Sequence, residues 1–168
     1  MKNSASFNIT SHGDREIVIT RIFDAPRRLV FDAYTKPELV QKWLLGPEGW
    51  SMPVCEIDLR AGGKYRYVWK NDANGHEMGM GGVYREVIPP ERIVATEKFD
   101  EAWYPGEAVG TIAFTERDGK TTVTQTILYN SRDTRDAVLK SPMQTGLMAS
   151  YDRLEQVLPS IEREALSA

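Results

Sequence analysis

The sequence contains few of the side chains that usually bind metals or form disulfides. Of its 168 residues, one is cysteine and two are histidine. The single cysteine, Cys55, excludes an intramolecular disulfide in this chain, and such sparse use of cysteine is typical of a reducing compartment. His12 lies in the N-terminal segment and His76 follows a predicted turn, so they indicate no cluster of metal ligands. We therefore expect no metal site and no cofactor.

Long apolar runs and an excess of positive charge are also missing. The N-terminal segment MKNSASFNITSHG lacks the apolar run of a signal peptide. No stretch approaches the roughly 20 apolar residues that cross a membrane. The formal net charge is −3, whereas proteins that hold nucleic acid usually have a strongly basic surface. We expect a cytoplasmic protein with no membrane span and no nucleic-acid partner.

The body of the chain is predicted to form antiparallel strands joined by short turns. Residues 15–23, REIVITRIF, alternate and are rich in β-branched side chains, as expected of a strand. Turn signals at 71–75 and at Asp118 and Gly119 separate later segments of the same kind. Six further strands are expected, at about 52–60, 64–70, 76–88, 92–99, 107–116 and 120–129. Their close spacing predicts an antiparallel meander.

Helices are expected on both sides of this series of strands. The first strand is followed by two short helices, with Asp24 as the predicted cap of the first and Pro37 at the start of the second. Ser131 is expected to cap another short helix that ends at Lys140. Apolar residues three or four positions apart then predict a long amphipathic C-terminal helix. These residues are Met143, Leu147, Tyr151, Leu154 and Leu158.

The chain is long enough for one domain with a substantial core. We expect residues 1–13 to be a flexible leader, 14–159 to form the folded domain and 160–168 to be a tail. A sheet with one apolar face must cover that face. The C-terminal helix is the only predicted element long enough to do so.

Several segments resemble a known family when they are taken in order. They are RIFDAPRRLVFDAYTKPELVQKWLLGPEGW, DLRAGGKYRYVW, GGVYREVIPPERIVATEKF and GLMASYDRLEQVL. Over about residues 15–158 the chain resembles the START-like (SRPBCC, helix-grip) superfamily, in the branch named after the activator of the 90-kDa heat-shock chaperone ATPase. The resemblance implies an α+β fold: a strand, two short helices and six strands, forming a curved antiparallel sheet around a long C-terminal helix. It also implies a cavity, because members bind lipids, polyketides and other apolar molecules.

The segment KYRYVWK has aromatic side chains on one face of its strand. Tyr65, Tyr67 and Trp69 alternate with Lys64 and Arg66, so we expect the aromatic face to point toward the C-terminal helix. On the next strand the bulkier alternate set is expected to point the same way. That set is His76, Met78, Met80, Gly82 and Tyr84. Two interpretations remain open, since these side chains either fill a core or line a pocket.

Three polar residues share strand faces that are otherwise apolar. They are Arg21, Glu97 and Gln125. A buried charge costs several kcal/mol unless it is paired. We expect Arg21 and Glu97 to pair with each other, with His76, with water or with a ligand. The alternative is a structural ion pair or a position at the rim that reaches solvent.

These patterns favour a binding protein for a small hydrophobic molecule over an enzyme, and no catalytic residue is assigned. The predicted ligand-binding residues are Arg21, Tyr65, Tyr67, Trp69, Met80, Tyr84, Glu97, Phe99, Leu147 and Tyr151. An enzymatic alternative, such as a cyclase or hydratase, requires an acid–base pair made by Glu97 with His76 or Tyr67. A third hypothesis is a protein partner bound on the basic outer face. Three tryptophans, Trp43, Trp50 and Trp103, are expected in or near loops, where they either line an entrance or plug the open end of the sheet.

Overall fold

The described residues form eight strands and four helices, in an order close to the predicted one. A computed structural model describes residues 6–101 and 104–167. The strands and helices are β1 (Asn8–His12), β2 (Glu16–Phe23), α1 (Arg27–Thr35), α2 (Pro37–Trp43), β3 (Trp50–Ile57), β4 (Lys64–Asn71), β5 (Glu77–Ile88), β6 (Arg92–Phe99), β7 (Ala108–Arg117), β8 (Lys120–Leu128), α3 (Arg132–Lys140) and α4 (Met143–Ser167). The predicted α+β class, with one sheet and a long C-terminal helix, is confirmed.

All eight strands belong to one curved, open, antiparallel sheet. Their order across the sheet is β1-β2-β8-β7-β6-β5-β4-β3. Alternate residues of each strand point to the concave side, as their period of two requires. Register shifts interrupt the pairing of β3 with β4 and of β5 with β6. Such irregularities bend strands, which allows the sheet to curve around a helix.

Helix α4 covers the part of the concave face formed by β2 and β8 and is fixed there by polar contacts. Its buried side chains include Tyr151, Leu154 and Leu158. The guanidinium of Arg153 donates to the backbone oxygens of Trp43 and Gly46 at 3.0 and 3.2 Å. Because Trp43 ends α2 and Gly46 follows it, these contacts hold α4 against the end of the second short helix.

The ends of the chain differ from the predicted boundaries. Residues 8–12 were expected in a leader, but they form edge strand β1, which pairs through its backbone and buries little surface. The sequence of β1 therefore lacks the alternation of apolar and polar residues that would have predicted a strand. The C-terminal residues 160–168 were expected to be a tail, but α4 continues past Pro159 to Ser167. Ile161 is buried beyond the proline and so favours continuation of the helix.

The helix caps were predicted with mixed success. Ser131 caps α3 as expected, because its side-chain oxygen accepts a hydrogen bond from the backbone N–H of Thr134 at 3.1 Å. The Asp24 cap is wrong, since α1 begins at Arg27 and its cap position is Pro26. None of the helices in the described part of the chain is long and apolar enough to cross a membrane.

Candidate functional site

Aromatic side chains line the concave face of β4 and β5. Tyr65, Tyr67 and Tyr84 are buried and Trp69 is half-buried. The ring centroid of Tyr65 lies 5.2 Å from that of Tyr67 and 5.3 Å from that of Tyr84, and the centroid of Tyr67 lies 5.8 Å from that of Trp69. The aromatic face of KYRYVWK is therefore the buried face of its strand, while its orientation toward the C-terminal helix stays a prediction. We call these four residues the aromatic wall.

Two hydrogen bonds fix the wall in position. The Tyr65 hydroxyl donates to the backbone oxygen of Thr96 at 2.6 Å. It crosses β5 near Gly82, where an added Cβ atom would collide with that same oxygen. The Trp69 indole N–H donates to the backbone oxygen of Leu44 at 2.7 Å. The wall is thus tied to β6 on one side and to the segment after α2 on the other.

Glu97 points to the same concave side from β6. Its carboxylate lies above Gly110 of β7, in space that a Cβ atom on Gly110 would occupy. Within residues 6–101 and 104–167, no hydrogen bond or ion pair reaches this carboxylate. Burial raises the pKa of Glu97 to about 7. Glu97 is therefore a half-buried carboxyl group without a protein partner among the described residues.

Tyrosines from several elements surround Glu97. Burial raises the pKa of each of their hydroxyls, and the negative charge of Glu97 raises each further. They come from β4, from the segment before β7, from the residue after β8 and from α4. They are Tyr65, Tyr67, Tyr104, Tyr129 and Tyr151. All of these phenols are uncharged near neutral pH.

The central strands keep accessible surface on their concave side. Near the end of β7 and in β8, Phe114 and Val123 are fully covered. Other inward-facing residues of β5 to β8 are only half-buried: Met80, Ala95, Glu97, Phe99, Ile112 and Gln125. A side chain on the concave side of a central strand stays accessible only where nothing packs over it. We call this incompletely covered surface, between the aromatic wall and Glu97, the hollow.

Arg21 lies away from the hollow, against α4. Its side chain is 1% exposed and donates to Asp152 at 2.9 Å and to Glu155 at 3.2 Å. Its guanidinium carbon also lies 5.6 Å from the ring centroid of Phe23. The expectation that Arg21 pairs with Glu97 is wrong, and the alternative of a structural ion pair is confirmed. The two carboxylates were missed, although their spacing of three places them on one face of α4.

Other predicted residues divide between the interior and the surface. Met80, Phe99 and Leu147 are half-buried, and Tyr151 is buried with its hydroxyl 3.3 Å from the side-chain oxygen of Gln125. His76 and Met78, predicted to point inward, are exposed, because the β4–β5 hairpin extends beyond the covered part of the sheet. The acid–base pair of Glu97 with His76 is therefore wrong.

Tyr67 does not complete an acid–base pair in the described part of the chain either, because no hydrogen bond joins it to Glu97.

On the outer face, Arg66 makes two hydrogen bonds to Asp100, at 3.0 and 2.5 Å. Hydrogen bonding to Arg66 lowers the pKa of Asp100. The basic outer face is therefore partly neutralised.

The tryptophans outside the wall have structural positions. Trp43 is buried, and its indole N–H donates to the backbone oxygen of Ala33 at 2.9 Å. Trp50 begins β3 and is half-buried, while Trp103 lies outside the described residues.

Two surface grooves, of about 460 and 250 Å³, lie beside the start of α4 and beside Arg66. Neither contains Glu97 or the aromatic wall.

The described part of the chain contains no cluster of side chains suited to binding a metal ion. No group of three or more His, Cys, Asp or Glu side chains there has an arrangement that could hold a metal ion. Burial, with a smaller effect of Glu38, raises the pKa of Cys55 to about 11. The Cys55 thiol is free, half-buried and protonated near neutral pH, so it lacks the thiolate character of a nucleophile.

Solved structures resemble this chain along most of its length. A protein from Rhodobacter sphaeroides is 28% identical with a TM-score of 0.86, over 92% of this chain and 99% of its own. A protein from Chromobacterium violaceum is 29% identical with a TM-score of 0.72, over 84% and 96%. An AHSA1-like protein from Aeromonas hydrophila, 16% identical, shares the fold with a TM-score of 0.65, over 85% and 92%. None of the curated proteins matches this chain.

A protein family also matches the chain over α1 to α4. Its description is Activator of Hsp90 ATPase homolog 1-like protein, and the match covers residues 24–159. This range contains the aromatic wall, Glu97 and most of the buried residues of α4. The predicted resemblance to the START-like helix-grip superfamily is confirmed. The chain belongs to the family of Activator of Hsp90 ATPase homolog 1-like proteins.

Proposed function

We propose that this protein binds a small, mainly apolar molecule in the hollow, without transforming it. The observation that carries the proposal is the accessible surface retained by inward-facing residues of the central strands. Pockets for small molecules are typically lined by apolar and aromatic side chains, with a few polar groups that set orientation. The aromatic wall supplies the first kind of surface. Glu97 supplies a polar group that has no other described partner.

Binding is favoured over catalysis because proton transfer requires two groups within reach. A general acid or base must lie within hydrogen-bonding distance of its reaction partner. Among the described residues Glu97 is not hydrogen-bonded to a histidine, a lysine or a tyrosine. A single carboxyl group orients a ligand but does not complete an acid–base pair. We also propose a cytoplasmic location, which suits the free thiol of Cys55.

The proposal is tested by NMR titration of the labelled protein with a panel of apolar probes. The panel contains a flavanone, a long-chain alcohol and a hydroxylated polycyclic aromatic compound. We expect at least one class to shift the signals of Tyr67, Met80 and Glu97, with little change on the outer face of the sheet. Spectra that no class of probe changes would overturn the proposal, most clearly if a chaperone bound instead.

Two matched variants locate the bound probe. Ala95 and Val94 are neighbours in β6, and only Ala95 points into the hollow. Ala95→Leu places extra methyl groups in the open space and should weaken binding about tenfold or more, whereas Val94→Leu should leave it unchanged. Equal effects of the two variants would place the probe elsewhere.

A further inference from the structure

We propose that the bound molecule carries a protonated amine, which the Glu97 carboxylate receives, and that the hollow rejects carboxylates of the same shape. This inference rests on the proposed function and names the ligand class of the same site. It narrows the broad expectation of lipids or polyketides, because a free fatty acid would bring a second negative charge beside Glu97. Three features favour an amine. They are the uncompensated charge of Glu97, the hydrogen-bond donors of an ammonium group and the space that Gly110 leaves for the carboxylate.

The charge of the hollow is unbalanced in the described part of the chain. Arg21, the buried cation of β2, is already held by Asp152 and Glu155 of α4. The titratable groups whose pKa responds to the charge of Glu97 are the surrounding tyrosine hydroxyls, all of them neutral near pH 7. An ionised Glu97 therefore faces phenols and apolar surface, without a counterion. A cationic ligand supplies the missing charge, and charge-assisted hydrogen bonds are the strong ones.

Two tyrosine hydroxyls beside the hollow already use their protons, and the Glu97 carboxylate can only accept hydrogen bonds. The Tyr65 hydroxyl gives its proton to Thr96, and the Tyr151 hydroxyl gives its proton to Gln125. A carboxylate has only acceptor sites, whereas an ammonium group has three donors. The aromatic rings of the wall add to this preference, because the faces of tyrosine and tryptophan rings attract cations. The polar group of the ligand should therefore donate hydrogen bonds.

Gly110 provides the space that holds the carboxylate in position. The Oε2 atom of Glu97 lies where a Cβ atom on residue 110 would be. Alanine at this position forces the flexible end of the Glu97 side chain to move. The carboxylate keeps its charge but takes a different position. Gly110→Ala therefore separates the position of the carboxylate from its presence.

The inference is tested with three probes that share one bicyclic body. They are 2-naphthylmethylamine, 2-naphthylmethanol and 2-naphthoate, and their affinities are measured by calorimetry or NMR at pH 8. We expect the amine to bind about tenfold more tightly than the alcohol, and the carboxylate to bind more weakly than both. Between pH 6 and pH 8 the affinity of the amine should rise as Glu97 ionises, while that of the alcohol stays constant.

Variants connect this order to Glu97. Glu97→Gln should bring the ratio of amine to alcohol affinity close to one, and Gly110→Ala should lower it by several-fold. Glu56→Gln is the control, since Glu56 is an exposed carboxylate on β3, and its ratio should match that of the original protein. An amine preference that survives in Glu97→Gln would overturn the inference.

The alcohol separates the two proposals. If the alcohol binds in the hollow but the amine binds no more tightly, or if the carboxylate binds best, the amine inference is overturned and the proposed function stands. If none of the three probes and no member of the wider panel binds, the proposed function itself is overturned.

Discussion

Two charged residues, Arg21 and Glu97, point to the concave side of the same sheet with opposite surroundings. Arg21 on β2 lies under α4 and has two carboxylate partners. Glu97 on β6 lies in the hollow and has no hydrogen-bonded or charged partner in the described part of the chain. The covered half of the sheet therefore pairs its buried charge, whereas the open half does not.

The difference separates a structural role from a binding role. Placing a charge inside a protein costs free energy that partners must offset. The covered half offsets part of this cost through Nη2 of Arg21, whose ion pairs hold β2 against α4, while Nε and Nη1 have no hydrogen-bond partner in the described part of the chain. The open half leaves the cost uncompensated in the unbound protein, as expected where a ligand supplies the partner. Three predictions test this contrast, in order of decreasing effect.

The largest effect is expected from removing Arg21. Arg21→Met keeps much of the side-chain volume but removes the buried cation that Asp152 and Glu155 contact. Breaking a buried ion pair costs about 3 to 5 kcal/mol. The side chains of Asp152 and Glu155 remain 26% and 11% exposed, so water lowers the cost toward about 3 kcal/mol. Urea unfolding monitored by circular dichroism measures this loss.

The matched control for Arg21 is Arg66, which also pairs with a carboxylate. Arg66 and Asp100 are on the outer face and are exposed to solvent. Arg66→Met should leave the free energy of unfolding nearly unchanged, because exposed ion pairs contribute little. If both variants lost the same stability, the contrast between buried and exposed pairs would be refuted.

The second effect concerns Glu97 and has the opposite sign. The pKa of Glu97 is about 7 in the folded chain, above its ordinary value of 4.5. The folded state therefore holds the proton more tightly than the unfolded state, and stability falls as pH rises from about 4.5 to 7. Each unit of pKa difference corresponds to about 1.4 kcal/mol of unfolding free energy. Because Glu97 is only half-buried, we expect a total loss of about 2 kcal/mol.

Glu97→Gln should remove this fall. Relative to the original protein, the variant should gain about 2 kcal/mol between roughly pH 4 and pH 8, as measured by urea unfolding at several pH values. Glu56→Gln should retain the original profile, since Glu56 is exposed. Parallel profiles for Glu97→Gln and the original protein would show that Glu97 ionises as freely as a surface carboxyl.

Much of this contrast was accessible from the sequence, because it depends on local periodicity. Alternation placed the aromatic wall and Glu97 on the concave side, and apolar spacing located the core of α4. The partners of Arg21 were missed because they are far away along the chain, at separations of 131 and 134 residues. Only the docking of α4 brings Asp152 and Glu155 beside β2.

Sequence-based predictions failed where apolar burial follows no local pattern. β1 pairs through its backbone and has mostly exposed side chains, so it has no apolar alternation. His76 followed the alternation of β5 but lies in a turn beyond the covered part of the sheet. The low helix propensity of proline predicted that α4 would end at Pro159, but the buried side chain of Ile161 outweighs that propensity.

The smallest effect distinguishes two neighbouring hydroxyls of the aromatic wall. The Tyr65 hydroxyl donates to the Thr96 oxygen at 2.6 Å, whereas none of the hydrogen bonds among described residues involves the Tyr67 hydroxyl. Tyr65→Phe leaves a buried carbonyl without this donor and should cost about 1 kcal/mol. Tyr67→Phe should cost less in unfolding experiments, yet it removes a polar group from the hollow.

The two tyrosine variants therefore should differ in opposite directions in two measurements. Tyr65→Phe should lower the free energy of unfolding while leaving the amine-to-alcohol preference of the hollow unchanged. Tyr67→Phe should preserve stability and alter the affinity for the naphthyl probes, because its hydroxyl is not committed to a described backbone group. Equal losses of stability would mean that both hydroxyls serve the fold, and the division between a covered structural half and an open binding half would then not extend to the aromatic wall.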